Sequence, residues 1–216
     1  HERLQHILYP TGQPIVRVLG NPRYDQVKQK ADQFTSERTE SVLLRPKRLL
    51  AGSIHSEDEQ VIQGSIMSLM NEIEDLYLVW VHHEPTERNV SEAESFFQSN
   101  HFSTVRLGNK NPNQLDARVI IVDTIGRLSQ LYWDGQMAYI GGGFSTGVHN
   151  VMEPAIARLP VFFGPRYKNF NEAEELITDG GGFSIESGTD LYLGMKQLFE
   201  DRDAFLKASY AATNVI

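Results

Sequence analysis

The glycine-rich segment 141–147 carries the strongest chemical signal in this sequence. It lies between a predicted strand and a predicted helix, and its glycines let backbone amides approach a phosphate closely. The start of the following helix supplies further N–H donors and a favourable dipole. Gly142 and Gly143 are therefore candidate phosphate-binding residues, although a tight strand-to-helix turn explains the same glycines.

Glu153 lies within the first turns of the predicted helix that follows this segment. Its carboxylate can accept hydrogen bonds from ribose hydroxyls while the loop holds the adjoining phosphate. The helix dipole alone also favours an acidic side chain at this position. Both interpretations stay open at the level of the sequence.

The spacing of the glycines excludes two common phosphate loops. A dinucleotide fingerprint needs G-x-G-x-x-G, and a P-loop needs a lysine where Val148 stands. The run from Gly143 to Gly147 matches the G-x-S-x-G elbow of hydrolases, with Ser145 as the nucleophile. That fold places its catalytic histidine well after the serine, whereas the last histidine of this chain is His149. We therefore do not favour a hydrolase.

Three further segments directly follow predicted strands, and they begin at Ser53, His82 and Asp123. Ligands of an open parallel sheet bind at the carboxyl ends of its strands, so each segment is a candidate site. In the third segment, Ile125 and Gly126 offer a backbone edge that can pair with a base. The aspartate that opens it is better explained as a helix N-cap than as a catalytic group.

The run His82-His83-Glu84-Pro85 contains two adjacent histidines but not a metal motif. It lacks the H-E-x-x-H spacing of zinc enzymes, and Pro85 disfavours a helix that carries both histidines. We expect no metal site. The two imidazoles either contact a phosphate or base, or are exposed loop residues.

The elements that position these residues read as a doubly wound α/β domain, because short apolar runs alternate with longer mixed segments. The strands are predicted at 49–53, 76–81, 102–107, 119–122, 137–140, 160–163 and 183–185. The helices are predicted at 57–72, 92–99, 128–133, 150–157, 171–178 and 190–199. Aromatic residues such as Tyr139 and Phe162 are expected in the core.

The chain length of 216 residues fits one domain with a short appendage. We predict a binding domain over 49–216, preceded by a polar linker and the end of another domain over 1–48, with one strand near 14–19. Because there are no cysteines, disulfides and thiol catalysis are excluded. No run of apolar residues is long enough to span a bilayer, so we expect a soluble chain.

The net charge of −8 argues against a nucleic-acid partner, which usually requires a basic surface. A single phosphate remains possible, since backbone amides can hold one anion without a positively charged domain. The charge therefore excludes a duplex but not a nucleotide.

The ordered set of motifs resembles one family, the 3-deoxy-D-manno-octulosonic acid (Kdo) transferases, in their C-terminal half. The matching runs are Leu50–His55, His82–Glu84, Val122–Gly126 and Gly141–Ala155, extended by Gly20–Asp25 and Phe163–Phe170. This resemblance implies the Rossmann-like C-terminal, donor-binding domain of a GT-B glycosyltransferase. Such enzymes move Kdo from CMP-Kdo to a lipid A precursor at the cytoplasmic face of the bacterial inner membrane.

The resemblance also implies a division of labour between two domains. The catalytic glutamate, the membrane-anchoring segment and the acceptor contacts of the family lie in the N-terminal domain. This chain should therefore contain no catalytic residue, bind CMP or CMP-Kdo, and transfer no sugar alone. No cofactor or metal is expected.

Carried over by position, the predicted donor-binding residues fall into four groups. His82 and His83 stand where family members often have Pro-Arg near the CMP phosphate, which would make phosphate affinity pH-dependent. The base-contacting residues are Ile125, Gly126 and Arg127. The residues that hold phosphate and ribose are Asn150, Val151, Met152 and Glu153. Gly142 and Gly143 belong to the glycine-rich loop. Arg127 replaces a common glutamate, and Val148 a common glycine.

Two other functions remain open. The same half-fold could serve a transferase with a UDP-sugar donor or a nucleotide-sugar epimerase. It could also be a non-catalytic nucleotide-binding module.

Overall fold

The computed structural model describes residues 22–35 and 41–215, which form one parallel sheet with helices on its faces. The strands are β1 (Arg48–Ile54), β2 (Tyr77–His82), β3 (Thr104–Arg106), β4 (Val119–Ile121), β5 (Met137–Ile140), β6 (Val161–Phe163) and β7 (Gly182–Ser184). Their order across the sheet is β3-β4-β2-β1-β5-β6-β7, and every neighbouring pair is parallel. The predicted doubly wound fold is confirmed.

The helices within the described ranges are α1 (Pro22–Thr35), α2 (Ser56–Glu72), α3 (Glu87–Ser99), α4 (Leu128–Leu131), α5 (Met152–Ile156), α6 (Asn171–Asp179), α7 (Gly188–Glu200) and α8 (Arg202–Asn214). Short 3₁₀ turns lie at Val42–Leu44, Pro112–Gln114 and Tyr132–Asp134. None of these helices is both long and apolar enough to cross a membrane.

The centre of the sheet positions the candidate site. β1 pairs with β2 on one side and with β5 on the other, so the chain turns in opposite directions from this strand. Parallel sheets bind ligands in the crevice outside the carboxyl ends of the strands at such a switch point. The segments after β1, β2 and β5 therefore converge there.

The core explains why the strand runs are continuously apolar. Leu49, Leu50 and Ala51 of β1 are fully buried, because helices cover both faces of a parallel sheet. Trp80 of β2 is also fully buried, and its ring meets that of Phe97 edge to face at 5.4 Å between centres. The predicted core aromatics Tyr139 and Phe162 are buried as well.

Several helices do not begin at the predicted residue, α3 and α5 among them. α3 begins five residues earlier than predicted, because Thr86 caps it by accepting a hydrogen bond from the Asn89 amide at 3.2 Å. α5 is shorter than the predicted helix over 150–157, since it begins only at Met152.

Two further helices were not predicted at all. α8 follows α7 with no strand between them, and Asp201 caps it by accepting from the amides of Asp203 and Ala204. α1 falls in the segment predicted to be a polar linker; it packs against α5, and Val27 and Ala31 are buried. The strand predicted near 14–19 lies outside the described residues.

Candidate functional site

Three histidine rings meet at the carboxyl edge of the sheet. His55 follows β1, His83 follows β2, and His149 follows the glycine-rich loop after β5. The Nε2 atoms of His55 and His149 are 2.7 Å apart, which is hydrogen-bonding distance. Each of the three rings offers a nitrogen that lies within 4.8 Å of the others.

The arrangement of the rings shows what holds this cluster together. The rings of His55 and His149 are tilted by only 10° with centres 5.0 Å apart, so the two bonded nitrogens face each other. His83 stacks against both rings, with centres 4.6 Å from His55 and 4.3 Å from His149. One ring of the bonded pair must donate and the other accept, so this pair is stable when at least one ring is neutral.

Burial and neighbouring imidazoles favour the neutral form of His149. Partial burial lowers the pKa of His149 below its ordinary value, and His83 and His55 lower it further, in that order. The carboxylate of Asp58 acts in the opposite direction. The cluster is therefore a partly desolvated group of imidazoles rather than a set of separate surface histidines.

Asp58 joins the start of α2 to the glycine-rich loop. It is fully buried, and its Oδ2 accepts hydrogen bonds from the amides of His55 at 3.0 Å and Gly142 at 2.8 Å. Its Oδ1 accepts from the hydroxyl of Tyr139 at 2.8 Å. Burial, and then this carboxylate, raises the pKa of Tyr139. Asp58 thus fixes the relative positions of the segments that carry His55 and His149.

The glycine-rich loop packs too tightly for side chains at several positions. A Cβ on Gly141 would stand 2.1 Å from the carbonyl oxygen of Ser53, and one on Gly143 would stand 2.5 Å from the amide nitrogen of Gly164. Gly142 has a φ of +89°, and its amide is already bonded to Asp58. Tight packing therefore accounts for these glycines, with or without a phosphate.

The loop serine offered as a hydrolase nucleophile is engaged in the same packing. The hydroxyl of Ser145 donates to the Gly142 carbonyl oxygen at 3.3 Å. The guanidinium of Arg166 donates to the Ser145 carbonyl oxygen, and the Arg166 amide donates to the Gly143 carbonyl oxygen at 3.0 Å. The loop is thereby tied to the segment after β6.

The adjacent residues His82 and His83 have different environments. His82 is 7% exposed; its Nε2 lies 2.8 Å from Oε1 of Glu59 and 3.3 Å from the indole nitrogen of Trp80. His83 is exposed and joins the imidazole cluster. Both line a cavity of about 640 Å³ between α2 and α3. Only His83 presents an open ring to the crevice, because the side chains of a strand alternate.

The predicted base-contacting segment is open to solvent on one side and anchored on the other. Ile125 is 88% exposed, and Gly126 has a φ of +83°. The Arg127 guanidinium donates to the carbonyl oxygens of Gly108 at 3.1 Å and Lys110 at 3.2 Å. Arg127 therefore holds the segment in place.

The expectation that Asp123 caps a helix is wrong. Its Oδ1 accepts a hydrogen bond from the amide of Gly108 at 2.8 Å. The next helix begins only at Leu128, with Arg127 as its N-cap residue. Asp123 instead joins this segment to the loop after β3.

The segment from Asn150 to Met152 lines a smaller cavity of about 270 Å³ together with His149, and Glu153 is not part of that lining. Oδ1 of Asn150 accepts from the amide of Met152 at 3.1 Å. Val151 and Met152 are buried, so contact with a ligand would fall to their backbone atoms. Glu153 is partly buried in the first turn of α5.

Sequence reasoning named neither His55 nor His149 as a binding residue, and it missed Asp58. The available signal was topological, since both histidines follow strands that flank the switch point. The contacts of Asp58 with Tyr139 and Gly142 have no counterpart in a local motif.

Three curated relatives of the chain all carry the same name. Kdo transferases of Aquifex aeolicus and Rickettsia typhi are each 28% identical to the chain, over 170 and 193 residues, covering 76% and 89% of it. That of Chlamydophila psittaci is 30% identical over 176 residues. The chain is similar to Kdo transferases. It spans less than half the length of these relatives, at 45%, 41% and 39%. No protein-family profile matches it.

Solved structures confirm the fold of a GT-B glycosyltransferase C-terminal domain. The crystal structure of the C-terminal CMP-Kdo binding domain of WaaA from Acinetobacter baumannii matches with a TM-score of 0.67 at 22% identity, covering 89% of this chain and 96% of that one. Staphylococcus aureus MnaA with UDP matches with a TM-score of 0.60 at 17% identity, covering 92% and 49%. The predicted resemblance to the C-terminal part of a Kdo transferase is therefore confirmed.

Proposed function

We propose that this chain is the donor-binding part of a Kdo transferase and binds CMP-Kdo through its CMP group. The observation that carries the proposal is the sequence similarity to Kdo transferases over as much as 89% of the chain. The match to a CMP-Kdo binding domain supports it through the fold. In this proposal, residues 49–216 form the donor domain and the segment before them connects to the rest of the enzyme.

In this proposal, the nucleotide lies across the carboxyl edge of the sheet. The phosphate would lie near His83 and the segment from Asn150 to Glu153, where imidazoles and backbone amides can donate hydrogen bonds. The base would lie against Ile125 and Gly126, and the ribose hydroxyls would donate to Glu153. These assignments rest on the resemblance and on the convergence of the segments.

The chemical contribution of this chain would be electrostatic. Donors that surround the phosphate stabilise the negative charge that develops on the departing CMP, with no covalent intermediate on the protein. The catalytic glutamate and the lipid A precursor would belong to the preceding domain, at the cytoplasmic face of the inner membrane. The chain by itself would then bind donor without transferring Kdo.

Calorimetric titration of the chain with CMP, UMP and UDP tests the donor class. We expect CMP to bind more tightly than both uracil nucleotides. A preference for UDP would overturn the Kdo proposal in favour of a UDP-sugar transferase or epimerase, which the fold match to MnaA with UDP makes the specific rival.

Glu153→Ala tests the ribose contact, and Glu74→Ala is its matched control. Glu74 is exposed between α2 and β2, at the opposite edge of the sheet. We expect the first change to weaken CMP binding by about tenfold, since it removes a charged acceptor, and the second to leave it unchanged. Equal affinities for the two variants would refute the ribose assignment.

A further inference from the structure

The His55, His83 and His149 cluster has the composition of a metal site. Imidazole nitrogen is the ligand that Zn²⁺, Ni²⁺ and Cu²⁺ share, and three protein ligands with one open position are typical of reactive zinc sites. Here three imidazoles, from three different segments, place one nitrogen each within 4.8 Å of the others. The segments are far apart in sequence, so no local spacing motif identifies the three histidines as a group.

The backbone at all three positions is already fixed. The His55 amide donates to Asp58 at 3.0 Å, the His83 amide donates to the Ile54 carbonyl oxygen at 3.0 Å, and the His149 amide donates to the Gly141 carbonyl oxygen at 3.1 Å. These bonds join His83 to the end of β1, His55 to the start of α2, and His149 to the residue that follows β5. The ligand set would therefore lose little backbone freedom on binding an ion.

The side chains must rotate to surround an ion, while the backbone can stay in place. Zn–N bonds of about 2.0–2.1 Å place tetrahedral ligand nitrogens about 3.3 Å apart. The Nε2 atoms of His55 and His149 are now 2.7 Å apart, so they must separate slightly and give up their hydrogen bond. His83 must turn out of its stack, and it is exposed enough to do so.

We propose that His55, His83 and His149 bind one divalent transition-metal ion of the Zn²⁺ and Ni²⁺ class, with a coordination position open to the crevice. The inference differs from the expectation of no metal, which rested on the spacing around His82 and on the family resemblance. It stands on the cluster geometry and does not depend on the proposed donor. A chain that failed to bind metal could still bind CMP.

The test uses chelator-treated protein titrated with CoCl₂ and then with ZnCl₂. His1 and His6 are replaced by glutamine in every sample, so that imidazoles near the start of the chain contribute nothing. We expect one Co²⁺ per chain, with the visible absorption of a four-coordinate ion, and stoichiometric displacement by Zn²⁺.

His83→Arg removes one ligand at an exposed position, and His101→Asn is the matched control. His101 is exposed, lies outside the cluster and has a φ of +67°, a conformation that asparagine tolerates. We expect His83→Arg to weaken Co²⁺ binding by about a hundredfold, while His101→Asn changes nothing. Thermal unfolding confirms that both variants are folded. Equal Co²⁺ affinity in His83→Arg and the parent, or no saturable binding in the parent, would overturn the proposal.

Discussion

The glycine-rich loop 141–147 and the segment 123–127 both follow strands at the carboxyl edge, yet they are built in opposite ways. The first is buried against Ser53 and Gly164, and its amides are largely satisfied inside the fold. The second is anchored by Arg127 and leaves Ile125 open to solvent. One loop positions other groups, whereas the other is free to meet a ligand. Glycine content alone therefore does not identify the contacting surface.

Substitution of glycine should affect the two loops very differently. Gly141→Ala places a methyl group 2.1 Å from the Ser53 carbonyl oxygen, so backbone must move, and we expect a loss of about 3 kcal/mol or more in the free energy of unfolding. In Gly126→Ala the added methyl group has no atom within 4 Å, so we expect a loss of only about 1 kcal/mol in the free energy of unfolding, caused by the positive φ. Urea denaturation measures both values.

A similar loss in the two variants would show that the loops are equally tolerant and would remove the contrast between them. The comparison requires equal m-values, because a change in the denatured state would distort the difference.

Removing a carboxylate charge should also destabilise the protein more in the first region than in the second, but the difference in the free energy of unfolding should be smaller than for the glycine substitutions. Asp58→Asn turns one acceptor oxygen into a donor that faces the amides of His55 and Gly142, so we expect a loss of about 2 kcal/mol. Asp123→Asn keeps one oxygen for the Gly108 amide at a partly exposed position, and we expect less than about 1 kcal/mol. Thermal unfolding of the pair distinguishes them.

Tyr139→Phe supplies an internal check on the first of these values. It removes one donor to Asp58 and should cost about 1 kcal/mol. If Asp58→Asn were milder than Tyr139→Phe, the carboxylate would not be the group that holds the glycine-rich loop.

The sheet could be predicted because its signal is local, but the imidazole cluster could not. The apolar runs around Leu50 and Ile120 are continuous, which identifies strands that are buried on both faces. The contact of His55 with His149 depends instead on the order of strands and on the register of β1 with β5. Asp58 looked like an ordinary acidic residue in a first helical turn, and its long-range partners emerge only in the fold.

The two histidines at the end of β2 show the same limit on a finer scale. Their sequence predicts a shared role, but one residue of offset sends His82 towards Glu59 and leaves His83 in the crevice. Because side chains of an extended chain alternate in direction, His82 and His83 are adjacent in sequence but lie in different environments.

The smallest effect on stability should come from Ile125, and it tests the ligand side of the comparison. Ile125→Ala removes an exposed side chain, so the free energy of unfolding should change by less than about 0.5 kcal/mol. If the open segment covers the base of CMP, the lost apolar contact should weaken CMP binding about fivefold. Leu44→Ala, at another exposed apolar residue, should change neither quantity. If the calorimetric affinity of Ile125→Ala for CMP were unchanged, the base would not contact this segment. The buried loop and the exposed segment would then show no difference in function.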